Sequence, residues 1–294
     1  MIADLAGVMF NGLFSAMVVF IFAAGLTLLF GVLRILNFSQ GGFFAIGAYL
    51  SFSMTRLIAP EISLATFLAV AIAAGIVVGL LGIVTEWVVL RRLRQVDGAY
   101  SLIATYALLL ITEGAMKLIW GVNVRSLEPP AELAGVVMLG DVFMPNYALF
   151  IILTGFALFA ALEWLLHHSA LGKLMQSVAT DPWMANVLGV DVARMQTWLV
   201  VGGFFLAGTA GGLLVPNQAL SPGLAGTFVI QAFGALIVGG MGSVRGTFFA
   251  AILLCVSDSV ASVYLPGLPG IFFYVAMAAM LLLRPQGLVR GAQL

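Results

Sequence analysis

The chain has 294 residues, 63% of them hydrophobic and only 8% charged, with a mean hydropathy of +1.17. Soluble domains carry roughly 25% charged residues, so most of the solvating surface of a water-soluble enzyme is missing. Twelve Lys and Arg balance twelve Asp and Glu, which excludes a disordered chain, since disorder needs low hydrophobicity and high net charge, and makes a nucleic-acid partner unexpected.

A charge at the centre of a bilayer is costly, so the intervals between charges mark where the chain can cross. Asp4 to Arg34 encloses 29 uncharged residues, Arg34 to Arg56 another 21, Glu61 to Glu86 24 and Asp141 to Glu163 21, each enough for one span. Arg194 to Arg245 encloses 50, enough for two, with the interruption at Pro216 to Gly226, where Pro, Gly, Asn217 and Gln218 supply turn chemistry. Ala99 to Ile119, Thr247 to Tyr264 and Gly270 to Leu283 complete an all-α, polytopic transmembrane bundle of about nine crossings (8–10) in a single domain, 1–294. The N-terminus lacks the basic start of a secretory signal, so the first segment reads as a retained span. Cys255 sits in an apolar run and reads as a small hydrophobe.

Basic residues of short loops prefer the cytoplasm. Placing Arg34, Arg91, Arg92, Arg94, Lys173, Arg194, Arg245, Arg284 and Arg290 inside leaves only Arg56, Lys117 and Arg125 outside. The N-terminus is then outside and the C-terminus cytoplasmic, which requires an odd number of crossings. Loop 121–146, with Glu128, Pro129, Pro130, Glu132 and Asp141, falls on the outer, periplasmic side, as a plain connector or as a segment lying on that face.

Loop 169–194 falls inside and holds a compact helix signal. Asp181 is placed to cap free backbone N–H groups, Pro182 suits the first helical position and Gly189 the stop. The resulting helix of about two turns exposes Trp183, Met184, Val187 and Leu188. So short a helix is marginal alone, and docking in a groove of a soluble partner is preferred to lying on the membrane surface.

No catalytic, cofactor or metal site is expected. His167 and His168 read as interfacial, and there is no G-x-x-x-x-G-K-[ST] phosphate loop, so ATP hydrolysis would have to come from a partner. Three acids fall in or near spans. Asp258 lies 12 residues after Gly246, roughly 18 Å along its helix, and reads either as part of a transport pathway or as an interhelical hydrogen bond to Ser or Thr. Glu86 is expected to pair near Arg91, and Glu113 with Lys117 at i, i+4. Two glycine-rich stretches, Asn37-Phe38-Ser39-Gln40-Gly41-Gly42 and Gly239 to Gly246, read either as broken helices at a permeation path or as ordinary cytoplasmic turns. Gly75-x-x-x-Gly79 and Gly208-x-x-x-Gly212 predict close helix packing.

Several of these segments resemble, in order, the permease subunits of branched-chain amino acid ABC importers. They are Gly25-Leu26-Thr27-Leu28-Leu29-Phe30-Gly31, Ile35 to Gly42, Gly47-Ala48-Tyr49, Ala179-Thr180-Asp181-Pro182 with Ala185 and Leu188-Gly189-Val190, Leu206 to Gly212, Gly239 to Ser243, and Arg284-Pro285-Gln286-Gly287-Leu288. The resemblance implies a multi-pass protein of a bacterial inner membrane that pairs with a second homologous permease, as a heterodimer. Its other partners would be two cytoplasmic ATPase subunits and a periplasmic substrate-binding protein. Asp181, Pro182, Trp183, Met184, Val187, Leu188 and Gly189 would couple to the ATPase, and Asn37, Ser39, Gln40, Gly41, Gly42 and Asp258 would belong to the transport pathway. Relatives often have Ala-His-Gly-Glu where this chain has Ser39-Gln40-Gly41-Gly42, so urea or short amides stand beside branched-chain and other amino acids as substrates. The competing class is a stand-alone secondary transporter or channel with Asp258 as its ion-coupling site.

Overall fold

The computed structural model describes residues 2–58, 62–94, 96–139, 142–265, 267 and 270–289, with side-chain surroundings from Ala6 onward and excluding 139–142. Glu61, Asp141 and Arg290, used above as charge markers, lie outside the described residues, as does the side chain of Asp4.

Helices α1 (Ile2–Leu33), α2 (Ser39–Ile58) and α3 (Leu64–Thr85) come first; α3 runs through a π-helical turn, Glu86–Leu90, into α4 (Arg91–Leu93). Next are α5 (Gly98–Trp120), a 3-10 turn at Ala131–Leu133, and an antiparallel hairpin of β1 (Val136–Leu139) with β2 (Val142–Pro145). Helices α6 (Asn146–His168), α7 (Ala170–Thr180), α8 (Pro182–Val187), α9 (Val192–Leu214), α10 (Leu224–Gly239), α11 (Val244–Tyr264) and α12 (Ile271–Leu283) follow. Local chemistry sets many of the starts. The side chains of Ser63, Asp97, Ser169, Asp181, Asp191 and Ser243 each accept a backbone N–H of the helix they open, satisfying donors with no intrahelical partner.

The result is an all-α polytopic bundle with one small hairpin. Six described helices are long and apolar enough to cross a membrane: Ala6–Leu33, Leu64–Leu93, Gly98–Trp120, Asn146–His168, Val192–Leu214 and Val244–Tyr264. α10 and α12 are apolar but shorter. The interval expected to span between Arg34 and Arg56 holds an extended link and then α2, a helix carrying Gln40, Ser51, Ser53, Thr55 and Arg56 that is nonetheless largely buried. Its polarity is sheltered by the helices around it.

Helix α1 runs through the middle, packed against α6, α9, α10 and α11, and Ala16 to Ala24 are buried without interruption. The two small-residue motifs meet each other. A Cβ on Gly75 would strike Thr209 and Phe205, and one on Gly208 would strike Val78 and Gly75. The same stretch of α9 also receives α2, where a Cβ on Gly47 would land on the Gly208 backbone. Gly47→Ala is therefore expected to force α2 and α9 apart at a cost of about 1–3 kcal/mol, read as a lower unfolding midpoint in detergent. An unchanged midpoint would show that the seam yields freely.

Most charges sort to two opposite ends. Arg34 donates from Nη2 to Ala179 O (3.1 Å), Arg94 reaches Gln196 at the start of α9, and Arg245 pairs with Glu163 near the end of α6. At the other end, Trp120 Nε1 donates to Ser53 Oγ (2.8 Å), Arg125 and Leu220 exchange backbone hydrogen bonds, and Glu132 accepts the Leu64 N–H. Segments 121–146 and 169–194 thus lie at opposite ends of the bundle.

Candidate functional site

The first glycine-rich stretch is a break within the bundle. After Leu33 the chain leaves the helix at Arg34, which takes a left-handed backbone (φ 54°), and runs non-helically through Phe38. Asn37 Oδ1 then accepts the Ser39 N–H (3.1 Å) and the Ser39 hydroxyl (2.6 Å), opening α2. Gln40 Nε2 donates to Gly203 O (3.0 Å), a residue roughly 17 Å along α9 from Val192. Gly41 rests on Val229 and the Ala225 carbonyl of α10, and a Cβ on Gly42 would land on Thr112 of α5. Asn37, Ser39 and Gln40 are all buried. Gly239 to Gly246, by contrast, lies beside the last turn of α1, where Gly242 approaches Gly31. The two stretches that read alike differ in depth.

Hydrogen bonding is incomplete along α2 and at Asn37 just before it, as it also is at Glu86, Arg94, Arg125, Asn146 and Glu163. Asn37 Nδ2, Gln40 Oε1, Tyr49 Oη, Ser51 Oγ and Thr55 Oγ1 are buried and unpartnered among the described residues. Buried polar atoms are nearly always satisfied, so unmet hydrogen-bonding capacity runs along α2 and its lead-in.

At the Arg34 end, α8 follows its sequence signals closely. Asp181 Oδ1 accepts the Met184 N–H (2.9 Å), Pro182 opens the helix, and Gly189 closes it at φ 88°. The helix covers six residues, nearer one and a half turns than two, because the closing turn begins at Leu188. It is also preceded by α7, which the sequence reading did not anticipate. Ala185 is buried in a cluster with Val32, Val178, Ala179 and Leu199. The opposite side leaves Trp183, Met184, Val187 and Leu188 exposed at 71%, 46%, 62% and 75%, a concentration of apolar surface far above scattered single residues.

Asp258 lines a cavity of about 680 Å³ at the Trp120 end with Asn11, Gln231 and Ser259. Its Oδ1 accepts the Phe273 N–H in the first turn of α12 (3.1 Å). The interhelical bond expected to Ser or Thr is thus made to a backbone donor. Glu86 is paired, with Arg94 rather than near Arg91: Oε1 lies 2.5 Å from Nη2, and Arg94 Nη1 donates to Gln196 Oε1 (2.6 Å). Burial lowers the Arg94 guanidinium from its ordinary value, and Glu86 draws it back up. The π-helical turn carries Arg94 to its partner, a register that helical spacing alone does not give. Glu113 and Lys117 are not among the ion pairs of the described residues, so the expected i, i+4 pair is absent. His167 and His168 are exposed, and His167 stands 3.1 Å from Glu163.

A central buried α1, a non-helical link inside the bundle, six helices long and apolar enough to span and a capped apolar helix displayed at one end describe a multi-pass membrane protein. The chain belongs to the family described as branched-chain amino acid transport system / permease component, whose profile matches residues 8–284. It is a transport permease, not an enzyme. The probable branched-chain amino acid transport permease protein LivH of Methanocaldococcus jannaschii is 27% identical over 286 residues, 90% of this chain and 86% of that one. BraD of Pseudomonas aeruginosa, a high-affinity branched-chain amino acid transport system permease protein, is 27% identical over 289 residues, 95% and 94% of the two chains. LivH of Escherichia coli is 24% identical over 291 residues, 96% and 94%. Among solved structures, PsaBC from Streptococcus pneumoniae in complex with Fab shares the fold, with a TM-score of 0.50 at 14% identity over 99% of this chain and 97% of that one.

Proposed function

We propose that this chain forms half of the membrane pathway of a bacterial inner-membrane ABC importer. It moves a small polar solute, branched-chain amino acids first, into the cytoplasm with ATP hydrolysed by two partner subunits. A second homologous permease completes the pathway and a periplasmic binding protein delivers the substrate. The observation that carries this reading is the α8 surface: four apolar side chains on a capped helix whose other side is anchored to the bundle through Ala185.

Nine crossings fit the elements when α2, α10 and α12 are counted with the six long helices. The basic excess at the Arg34 end turns that end, with segment 169–194, to the cytoplasm and segment 121–146 to the periplasm. A path from α8 to the pathway is then short. The Ala185 cluster includes Val32, and Arg34 holds the Ala179 carbonyl just before the break at Asn37 to Gly42. Movement of α8 under the ATPase would be felt at Ser39, Gln40 and the unpartnered polar atoms of α2. Asp258 would act nearer the periplasm, where its cavity supplies a polar surface for the incoming solute.

The test is reconstitution of the full complex in liposomes with a loaded binding protein. ATP-dependent uptake is expected, with no flux from this chain alone. The Asp258 cavity supports the competing reading of a stand-alone carrier, and proton-coupled flux by the isolated chain would establish that reading instead. Competition among leucine, urea and a short amide for the binding protein identifies the substrate class.

A further inference from the structure

We propose that Glu113 is a specificity-determining residue of the pathway, facing the second permease chain and receiving the ammonium group of an amino-acid substrate. The inference rests on the importer reading above. Glu113 sits seven residues before Trp120, roughly 11 Å inside that end of α5, well within a hydrocarbon layer about 30 Å thick. Its neighbour Thr112 packs on Gly42, so the carboxylate stands at the level of the break. No cation of the described residues lies within 4 Å of it.

The surroundings say what it faces. Helix α5 packs chiefly on α2, burying Ser101, Thr105, Leu109, Thr112 and Met116. Glu113 lies on the flank of that buried stripe, aligned at helical spacing with Tyr106 and Lys117. Tyr106 meets the edge of Phe38 in the break (6.0 Å between centroids), and Phe38 leans on Phe233 of α10 (4.7 Å). One acid, one phenol and one amine thus share a stripe along the rim of the broken segment. A carboxylate at this depth facing lipid costs about 2.5–3.5 kcal/mol on insertion scales, so the stripe is turned to a wet path instead. The exposed apolar residue beside it, Leu110, suits contact with a second membrane subunit. A half-buried carboxylate at this depth favours a full positive charge over a neutral solute, and an amino acid carries one on its ammonium group.

The experiment uses the complete reconstituted complex after Cys255→Ala, which removes the chain's single cysteine. Glu113→Cys should react with a membrane-impermeant charged thiol reagent and be protected when loaded binding protein and a non-hydrolysable nucleotide are added. Ile111→Cys, about 160° around the helix, should react only with a lipophilic maleimide. Glu113→Gln should lower amino-acid uptake about tenfold or more, the effect of losing one hydrogen bond to a charged group, with Glu113→Asp retaining most of it. Wild-type uptake by Glu113→Gln, or a Glu113→Cys thiol inert to the charged reagent, would overturn the proposal. Failure of the unmodified complex to transport would instead refute the importer reading, and the labelling result would still report what Glu113 faces.

Discussion

Replacing Trp183 with Asp is expected to abolish substrate uptake while leaving the chain folded and in the membrane. Trp183 is 71% exposed on a helix held from its other side by Ala185, so its removal takes little from the bundle itself. Docked in a partner's groove, an indole of this kind has the character of a binding hot spot, worth about 2 kcal/mol or more, which weakens association at least about 30-fold. Asp adds the desolvation of a carboxylate in an apolar groove. Detergent-purified Trp183→Asp chain should unfold at the wild-type midpoint, yet ATPase stimulation by loaded binding protein should vanish. Trp183→Phe should retain most of both. Normal stimulation in the Asp variant would mean that α8 is not where the ATPase is felt.

How much of this was legible in the sequence depends on whether the signal was local. Asp181, Pro182 and Gly189 act through their own backbone, so the start and stop of α8 could be read directly. The break between α9 and α10 was likewise marked by Pro216 and the residues after it. A helix in the interval of α2 was expected, but the burial of its polar side chains was not legible, because they are sheltered by α5, α9 and α10, which no window of the sequence reveals. Gly42, in a stretch that read either as a broken helix or as a turn, lies in the first turn of α2 against Thr112, a contact between distant segments that the sequence does not display. The hairpin of Val136 to Pro145 was missed because two four-residue strands leave too short an alternation to recognise. The π-helical turn at Glu86 changes the register of everything beyond it, so Arg94, not Arg91, became the partner. Glu113 and Lys117 were placed together by spacing alone, and spacing permits a pair without requiring one.

The Glu86–Arg94 pair carries the largest expected change in stability. Glu86 is 1% exposed and Arg94 17%, an asymmetry that decides which truncation is worse. Arg94→Ala strands a carboxylate that has no route to water, at a cost of about 3–5 kcal/mol. Glu86→Gln leaves a guanidinium that still holds Gln196 and reaches solvent, at about 1–2 kcal/mol, the scale of one unmade hydrogen bond. Replacing both at once, Glu86→Leu with Arg94→Met, should recover most of what Arg94→Ala loses, because burying two apolar side chains avoids desolvating either charge. Unfolding midpoints of the purified chain in detergent check the order; an Arg94→Ala chain as stable as Glu86→Gln would contradict it. The double variant also separates two roles of the pair. Gln196 stands four residues into α9, just beyond α8, so the pair ties the start of α9 to the π-helical turn. If that tie transmits the movement of α8, the apolar variant should be stable and yet stimulate poorly, whereas normal coupling would confine the pair to holding the two helices together.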